Sequence, residues 1–365
     1  MTSSPSSTSG PDAVAPRRAI AIDDAAERSR LFAEASEAPA AVARQLGANA
    51  VRVKALAERL RGLDPRLVAT IARGSSDHAA TFAKYLIETR LGIPTVSAAP
   101  SVSSIYRAPM RLEGAVCLAV SQSGRSPDLL AAVEAAKRAG ALVVALVNVE
   151  DSPLAAVADE VLPLHAGPET SVAATKSFIA SLSALLHLTA EWAQDAELDD
   201  ALAQAPERLA AAWRLDWRPG VEALAPARNL FVIGRGLGLG VAQEAALKLK
   251  ETCGLHAEAF SSAEVRHGPM ALVGPDFPVL VLSQDDETRE GVDRLAAEFA
   301  GRGAQTLLAG AAHAGAIELP TVEAPAAIQP LLLIQSFYRM ANALAAARGL
   351  DPDEPPHLKK VTRTL

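Results

Sequence analysis

Leu67-Val68-Ala69-Thr70-Ile71-Ala72-Arg73-Gly74 and Asn229-Leu230-Phe231-Val232-Ile233-Gly234-Arg235-Gly236 are one pattern written twice, an apolar run closed by Arg-Gly, with Gly236 standing 162 positions after Gly74. A second pair repeats at the same offset: VCLAVSQ, ending on Ser121-Gln122, and PVLVLSQ, ending on Ser283-Gln284. A third, KRAGALVVAL and GRGAQTLLAG, follows at almost the same spacing. Matches at a shared offset, each at the end of a strand-like run, indicate two copies of one structural unit. Within the first copy, helical segments such as HAATFAKYLIETRLG and PDLLAAVEAAKRAG alternate with these runs. That alternation predicts an α/β fold with two tandem parallel sheets, each flanked by helices in a flavodoxin-like three-layer αβα arrangement.

The flanking sequence sets the domain expectations. Residues 1–20, rich in Ser, Pro and Gly, read as a disordered tail without the apolar core of a signal peptide. Residues 21–65 show apolar positions at helical spacing and are expected to form N-terminal helices. The first α/β unit is placed at 66–205, the second at 206–345, and a C-terminal tail at 346–365. The boundary is set near 200–226, where Pro206, Pro219, Gly220 and Pro226 interrupt the helical pattern.

Composition narrows the function. The chain has 365 residues, 50% of them hydrophobic and 4% aromatic, enough apolar material for a sizeable core. A formal charge of −7 gives no bulk attraction to nucleic acid or to anionic membranes, so an anionic substrate must be held by local donors. No uninterrupted apolar run is long enough to span a bilayer, and the expected location is the cytoplasm. Cys117 and Cys253 form no CxxC pair, and neither a disulfide framework nor a cysteine zinc site is expected. No metal and no cofactor are expected.

Two segments carry candidate chemistry. Ser121-Gln122-Ser123-Gly124-Arg125-Ser126-Pro127 ends a strand and opens a helix, with Ser126 suited to the N-cap and Pro127 to the first helical position. Free N–H groups and hydroxyls there make an anion site, although an ordinary serine-capped turn reads the same way. The matching loop of the second copy, Ser283-Gln284-Asp285-Asp286-Glu287, carries three acids that would repel a phosphate. Arg73-Gly74-Ser75-Ser76 would lie beside the first loop. The glycines of GRGLGLG at 234–240 have the wrong spacing for a dinucleotide fingerprint.

The second segment is the helix AQEAALKLKE, which puts Glu244, Lys248 and Glu251 on one face. Such a stripe is commonly solvated; inside a cleft it would be suited to acid–base work. The stretch after it is long and irregular and carries His256 and His267, between which sequence alone does not choose.

Together ARGSSDHAA, SQSGRSPD, AGPETSVAATKSF, the run from EAALKLKE to RHGPMALV, and DPDEPPHLKKVTRTL resemble the sugar isomerase (SIS) family, in particular the isomerase half of glutamine–fructose-6-phosphate aminotransferase. The resemblance covers roughly residues 70–365. It implies that Ser121, Gln122, Ser123 and Ser126 hold the phosphate, with Ser75 and Ser76 as neighbouring hydroxyl contacts. It implies that Val172, Ala173 and Ala174 line the sugar, Ala174 replacing a serine of the synthase. It further implies Glu251 as the C1–C2 proton shuttle, Lys248 as its companion, His267 as the ring-opening residue and Lys360 as a lysine able to form a Schiff base, on a tail that closes the site. The site would be completed across a homodimer, the histidine coming from the partner.

Residue 2 is Thr2, and fewer than 70 residues precede the first strand of the pattern, so no glutaminase domain with a cysteine nucleophile is expected. The implied reaction is deamination of glucosamine 6-phosphate, and the stand-alone deaminases of the family look similar to this chain. The alternatives are an aldose–ketose isomerase, a fructosamine-6-phosphate deglycase, a galactosamine-6-phosphate deaminase or, from another class, a non-catalytic sugar-phosphate sensor.

Overall fold

The apolar runs become strands because they are buried on both faces, as parallel sheets covered by helices require. In the computed structural model, which describes residues 26–310 and 312–360, ten strands form two sheets. The expected tail at 1–20 and residues 361–365 lie outside the described residues. The first sheet contains β1 (Val68–Ile71), β2 (Thr95–Ser97), β3 (Val116–Ser121), β4 (Leu142–Val147) and β5 (Glu160–Pro163). The second contains β6 (Asn229–Gly234), β7 (His256–Ser261), β8 (Pro278–Leu282), β9 (Gln305–Ala309) and β10 (Ile317–Leu319). Their orders are β2-β1-β3-β4-β5 and β10-β9-β8-β6-β7, which is one order read from opposite edges. Every pairing is parallel. The duplication read from the sequence is therefore a duplication of topology.

Alternate residues of each strand feed different cores. Val116, Leu118 and Val120 of β3 join one large cluster that also takes in β6, β8 and the helices Ala38–Leu63, Lys176–Ala193 and Gln329–Ala347. Cys117 and Ala119 face the opposite way, onto Leu129, Val133 and Ala136 of the outer helix Pro127–Arg138. Its counterpart, Arg289–Gly301, covers the outer face of the second sheet through Val292, Leu295 and Phe299. The two sheets thus share one helical inner layer, and each has its own outer layer.

The helical pattern is interrupted across 200–226 as expected, with helices ending at Ala203, Trp213 and Leu224. Pro206 and Pro219 sit in the first turns of Ala205–Trp213 and Arg218–Leu224, where the missing N–H has no helical partner to lose. One sequence expectation needs correction. The stretch after Cys253 is not irregular throughout. Its His256–Ser261 portion is β7, an edge strand pairing only with β6, and its half-exposed residues gave no apolar run to read.

The inner layer brings the copies together at one close contact. Helix Ser75–Leu91 of the first copy crosses helix Gly238–Cys253 of the second, and a Cβ on Gly240 would stand 2.4 Å from the carbonyl oxygen of His78. Only glycine allows that approach. The glycines at 234–240 therefore serve packing of the helix start: a Cβ on Gly234 would likewise lie 2.5 Å from the Gly238 carbonyl oxygen.

Candidate active site

The strand order reverses between β1 and β3, so their carboxyl ends open a crevice, the usual ligand position in open α/β sheets. The loops after these strands line a cleft of ≈ 580 Å³, with Arg73, Ser75, Ser76, Ser121, Gln122, Ser123 and Ser126 contributing. The Ser121–Ser126 turn is held from behind. The Ser121 hydroxyl accepts from the Gly124 N–H at 3.0 Å, and the Gly124 carbonyl accepts from Leu154 N–H at 3.2 Å. Gly124 has φ 62°, and a Cβ there would meet Ser152 Oγ at 2.3 Å, so the turn needs glycine twice over. Ser126 occupies the N-cap of Pro127–Arg138 but its side chain makes no capping bond. Its hydroxyl remains available to an anion, whereas the Leu129 N–H of the first turn is already taken by Asp128 Oδ1 at 2.9 Å.

The second copy spends the same donors internally. Asp286 occupies the position of Gly124, and its Oδ1 accepts from the Thr288 N–H at 2.8 Å and the Thr288 hydroxyl at 2.5 Å. Ser283, the equivalent of Ser121, donates to Asp293 at 2.6 Å.

The opposite wall carries Lys248 and Glu251. The solvated-stripe reading of this helix fails, because the side chains of Glu244 and Lys248 are 0% and 2% exposed. Lys248 Nζ donates to Ser75 Oγ at 3.1 Å, pairs with Glu251 Oε2, and lies 3.3 Å from Glu244 Oε1. Glu244 also meets His78 Nδ1 at 2.9 Å and accepts from Tyr338 OH at 3.2 Å. Burial alone would push the Lys248 ammonium down, but the Glu244 and Glu251 carboxylates outweigh it and raise the pKa to about 12. Burial likewise opposes ionisation of Glu244, yet Lys248 and His78 hold its carboxyl below its ordinary value. Lys248 is thus a fixed positive charge at neutral pH, suited to steadying negative charge rather than to passing protons. Burial, with Glu244 beside it, pushes Tyr338 well above the usual phenol range, so it stays a donor.

The floor is a loop organised by two carboxylates. Glu169, fully buried, accepts from the N–H groups of Thr175 at 3.0 Å and Ser177 at 3.1 Å. Glu34 accepts from the Thr170 hydroxyl at 2.9 Å and the Ser171 N–H at 3.1 Å. The loop they hold presents Val172 and Ala174 to the cleft, while Ala173 between them is 1% exposed and does not line it. Lys360 reaches this loop, donating to the Ser171 carbonyl at 2.7 Å, with its ammonium 3.4 Å from Glu169 Oε2. Lys359 and Leu358 join it in lining the cleft.

The structure separates the two histidines from this cleft within one chain. His256 is exposed at the start of β7, beside Asn229. His267 is exposed on the short turn Glu264–His267, next to Gly268 at φ 140°. Residues that the sequence reading did not assign are Arg73, Asp128, Glu169, His78 and Tyr338. Of these, Arg73, His78, Asp128 and Glu169 fall within quoted motifs, whereas Tyr338 lies 94 positions from its partner with no local signal.

The SIS domain profile matches residues 64–190 and 223–310, more than half of the chain and all strands but β10. The chain belongs to the SIS domain family. Its two SIS copies align with glutamine–fructose-6-phosphate aminotransferase from Zymomonas mobilis, 35% identical over 313 residues, covering 80% of this chain and 51% of that protein. The enzyme of the same name from Thermotoga maritima is 34% identical over 311 residues, again 51% of its length. The chain thus spans about half the length of the curated relatives it matches. Among solved structures, a protein from Silicibacter pomeroyi DSS-3, provisionally named a phosphosugar isomerase, is 48% identical with a TM-score of 0.85, covering 89% of this chain and 100% of that one. The C-terminal domain of glucosamine-fructose-6-phosphate aminotransferase from Francisella tularensis superposes at a TM-score of 0.83 with 26% identity, covering 91% and 100%. A glucosamine-6-phosphate deaminase from Thermotoga maritima, at 22% identity and a TM-score of 0.75, shares the SIS fold.

Proposed function

We propose that this SIS protein is a glucosamine-6-phosphate deaminase, converting glucosamine 6-phosphate and water to fructose 6-phosphate and ammonia. The observation that carries the reading is the single cleft in which the Ser121–Ser126 turn faces Glu251 and the buried Lys248. The phosphate sits on the turn, held by Ser121, Gln122, Ser123 and Ser126 with Ser75 and Ser76 beside them. That fixes the other end of the sugar against Glu251.

His267 moves the proton between O5 and O1 that opens the ring. Glu251 takes the C2 proton of the open chain and returns it to C1, passing through an enolamine to a C2 ketimine. Water adds to the ketimine carbon, and ammonia leaves. The fixed charge of Lys248 offsets negative charge developing on the carbon chain. Lys360, already anchored to the Val172–Ala174 loop, closes the site and stands ready to engage the open-chain carbonyl. His267 is supplied by a partner subunit: it is exposed, and Leu272, 67% exposed on the same segment, offers apolar surface for such a contact.

Glu251→Gln is expected to abolish ammonia release, a loss of roughly 10²–10⁴, while fructose 6-phosphate binding stays within a few-fold. Normal turnover by that variant refutes the assignment. A second reading, aldose–ketose isomerisation of a neutral sugar phosphate, is favoured by the provisional name of the 48% identical protein. An ammonia assay on glucosamine and galactosamine 6-phosphates, run beside ketose formation from glucose 6-phosphate and breakdown of a fructosamine 6-phosphate, separates the two.

A further inference from the structure

We propose that Arg73 is the residue that reads the charge of the substrate's phosphate, presenting its guanidinium from the β1 loop while buried Asp128 holds it in place. The inference rests on the phosphate lying at the Ser121–Ser126 turn. Arg125 within that turn is exposed and does not line the cleft, so the groups the turn offers there are neutral donors. An anion drawn into a half-enclosed cleft is poorly stabilised without a cation in reach. Of the other cations lining the cleft, Lys248 is committed to Glu244 and Glu251, and Lys360 to Glu169 and the Ser171 carbonyl. Lys359 rides on the exposed C-terminal segment.

Arg73 differs in how it is held. β1 and β3 are neighbours in the sheet, Ile71 standing beside Ala119, so the loops that follow them run side by side. Nε and Nη2 of Arg73 both reach Asp128 Oδ2, at 2.9 and 2.8 Å. That one-oxygen contact leaves Nη1 and one Nη2 proton uncommitted. The Arg73 side chain is 50% exposed in the cleft wall and Asp128 only 1%. Asp128 belongs to the first turn of the helix that follows the serine turn. One ion pair therefore ties both loops of the crevice together and aims the guanidinium along them. Arginine's planar fork suits this double duty, since one edge anchors and the other stays free for a phosphate oxygen.

The second copy is an internal control. Arg235 stands where Arg73 does, but Asp128 is replaced by Glu290, which pairs with Arg294. In that copy the serine turn is filled by Asp286 instead of presenting itself to an anion. The anchored arginine and the acid-free turn occur together, in one copy only.

Isothermal titration of the full chain with fructose 6-phosphate and with inorganic phosphate tests this. Arg73→Gln is expected to weaken both ligands by about tenfold or more, the range for a lost charged hydrogen bond. Asp128→Asn should bind phosphate at least as tightly as the wild type, because the asparagine amide oxygen still accepts from the guanidinium and keeps it in place, while the neutralising charge is gone. A purely structural clamp predicts the opposite, equal weakening by the two variants, and that result overturns the proposal. So does an Arg73→Gln protein that binds phosphate like the wild type. Thermal melts check that the variants fold. Should Arg73→Gln not fold, Arg73→Lys, which keeps a charge but not the fork, is set against Asp128→Asn and must bind more weakly. A wild type that binds neither ligand sinks the reading of the turn itself, whereas a wild type that binds with Arg73 indifferent sinks the arginine's role alone.

Discussion

At the scale of single residues, the cleft is governed by charges that are buried and compensated. Glu244 and Lys248 sit in the inner layer with His78, Tyr338 and Ser75 satisfying their remaining positions. Removing one member strands the other. Lys248→Met should destabilise the protein by about 3–5 kcal/mol, the usual cost of leaving a buried partner unpaired, and Glu244→Gln added to it should recover most of that loss. Urea denaturation of the two variants checks both statements. The pH dependence follows from the directions of the shifts. The Lys248 pKa is raised in the folded state, so its contribution is fully present below 10.5 and disappears as pH rises through about 12. The Glu244 pKa is depressed, so its contribution is present above 4.5 and fades as pH falls through the folded value. The stability gap between wild type and Lys248→Met should therefore hold steady from neutral pH to 10.5 and narrow above it. A gap that grows in alkali contradicts this account.

At the scale of elements, two glycines fix the geometry. Gly240 lets helices Ser75–Leu91 and Gly238–Cys253 touch backbone to backbone, and that contact is what lays Lys248 Nζ within 3.1 Å of Ser75 Oγ. Gly240→Ala must push the helices apart, at a cost of about 1–3 kcal/mol, and turnover should fall further than substrate affinity because Glu251 is displaced relative to the turn. Denaturant unfolding and a split of kcat from KM measure the two effects. Gly124→Ala acts at the other wall, where a Cβ would collide with Ser152 in a left-handed backbone. It should raise KM for the sugar phosphate by tenfold or so, with a smaller change in kcat, because the turn and not the acid–base pair is disturbed.

At the scale of the whole molecule, duplication has been followed by division of labour. The first copy keeps an acid-free turn, and the second contributes the helix bearing Glu244, Lys248 and Glu251. Phe82 and Leu86 of the first copy occupy the positions that Glu244 and Lys248 hold in the second, so the first copy's helix is purely structural there. If His267 comes from a partner subunit, Glu251→Gln and His267→Asn proteins, each inactive alone, should regain activity when unfolded together and refolded. Random pairing into twofold dimers makes half the molecules mixed, each with one intact site, so recovery should approach about a quarter of the wild-type rate. No recovery would place the histidine's work within its own chain, or remove it from the reaction.

The sequence by itself determined the fold and much of the site. Long apolar runs at a fixed offset admit few structures other than two covered parallel sheets, and the serine turn ends its strand where such sheets bind ligands. Edge strands β2, β5, β7 and β10 escaped because half-buried pairing leaves no apolar run to see. What tertiary structure alone decided is which charges are buried. Glu244, Lys248 and Glu251 have the spacing of a solvated stripe, and only the crossing at Gly240 turns that stripe inward. The same is true of Arg73, an unremarkable strand-end arginine until Asp128, 55 positions away, takes hold of it. Periodicity records which face of an element is apolar, but burial of charge depends on what the chain brings against that face from far away.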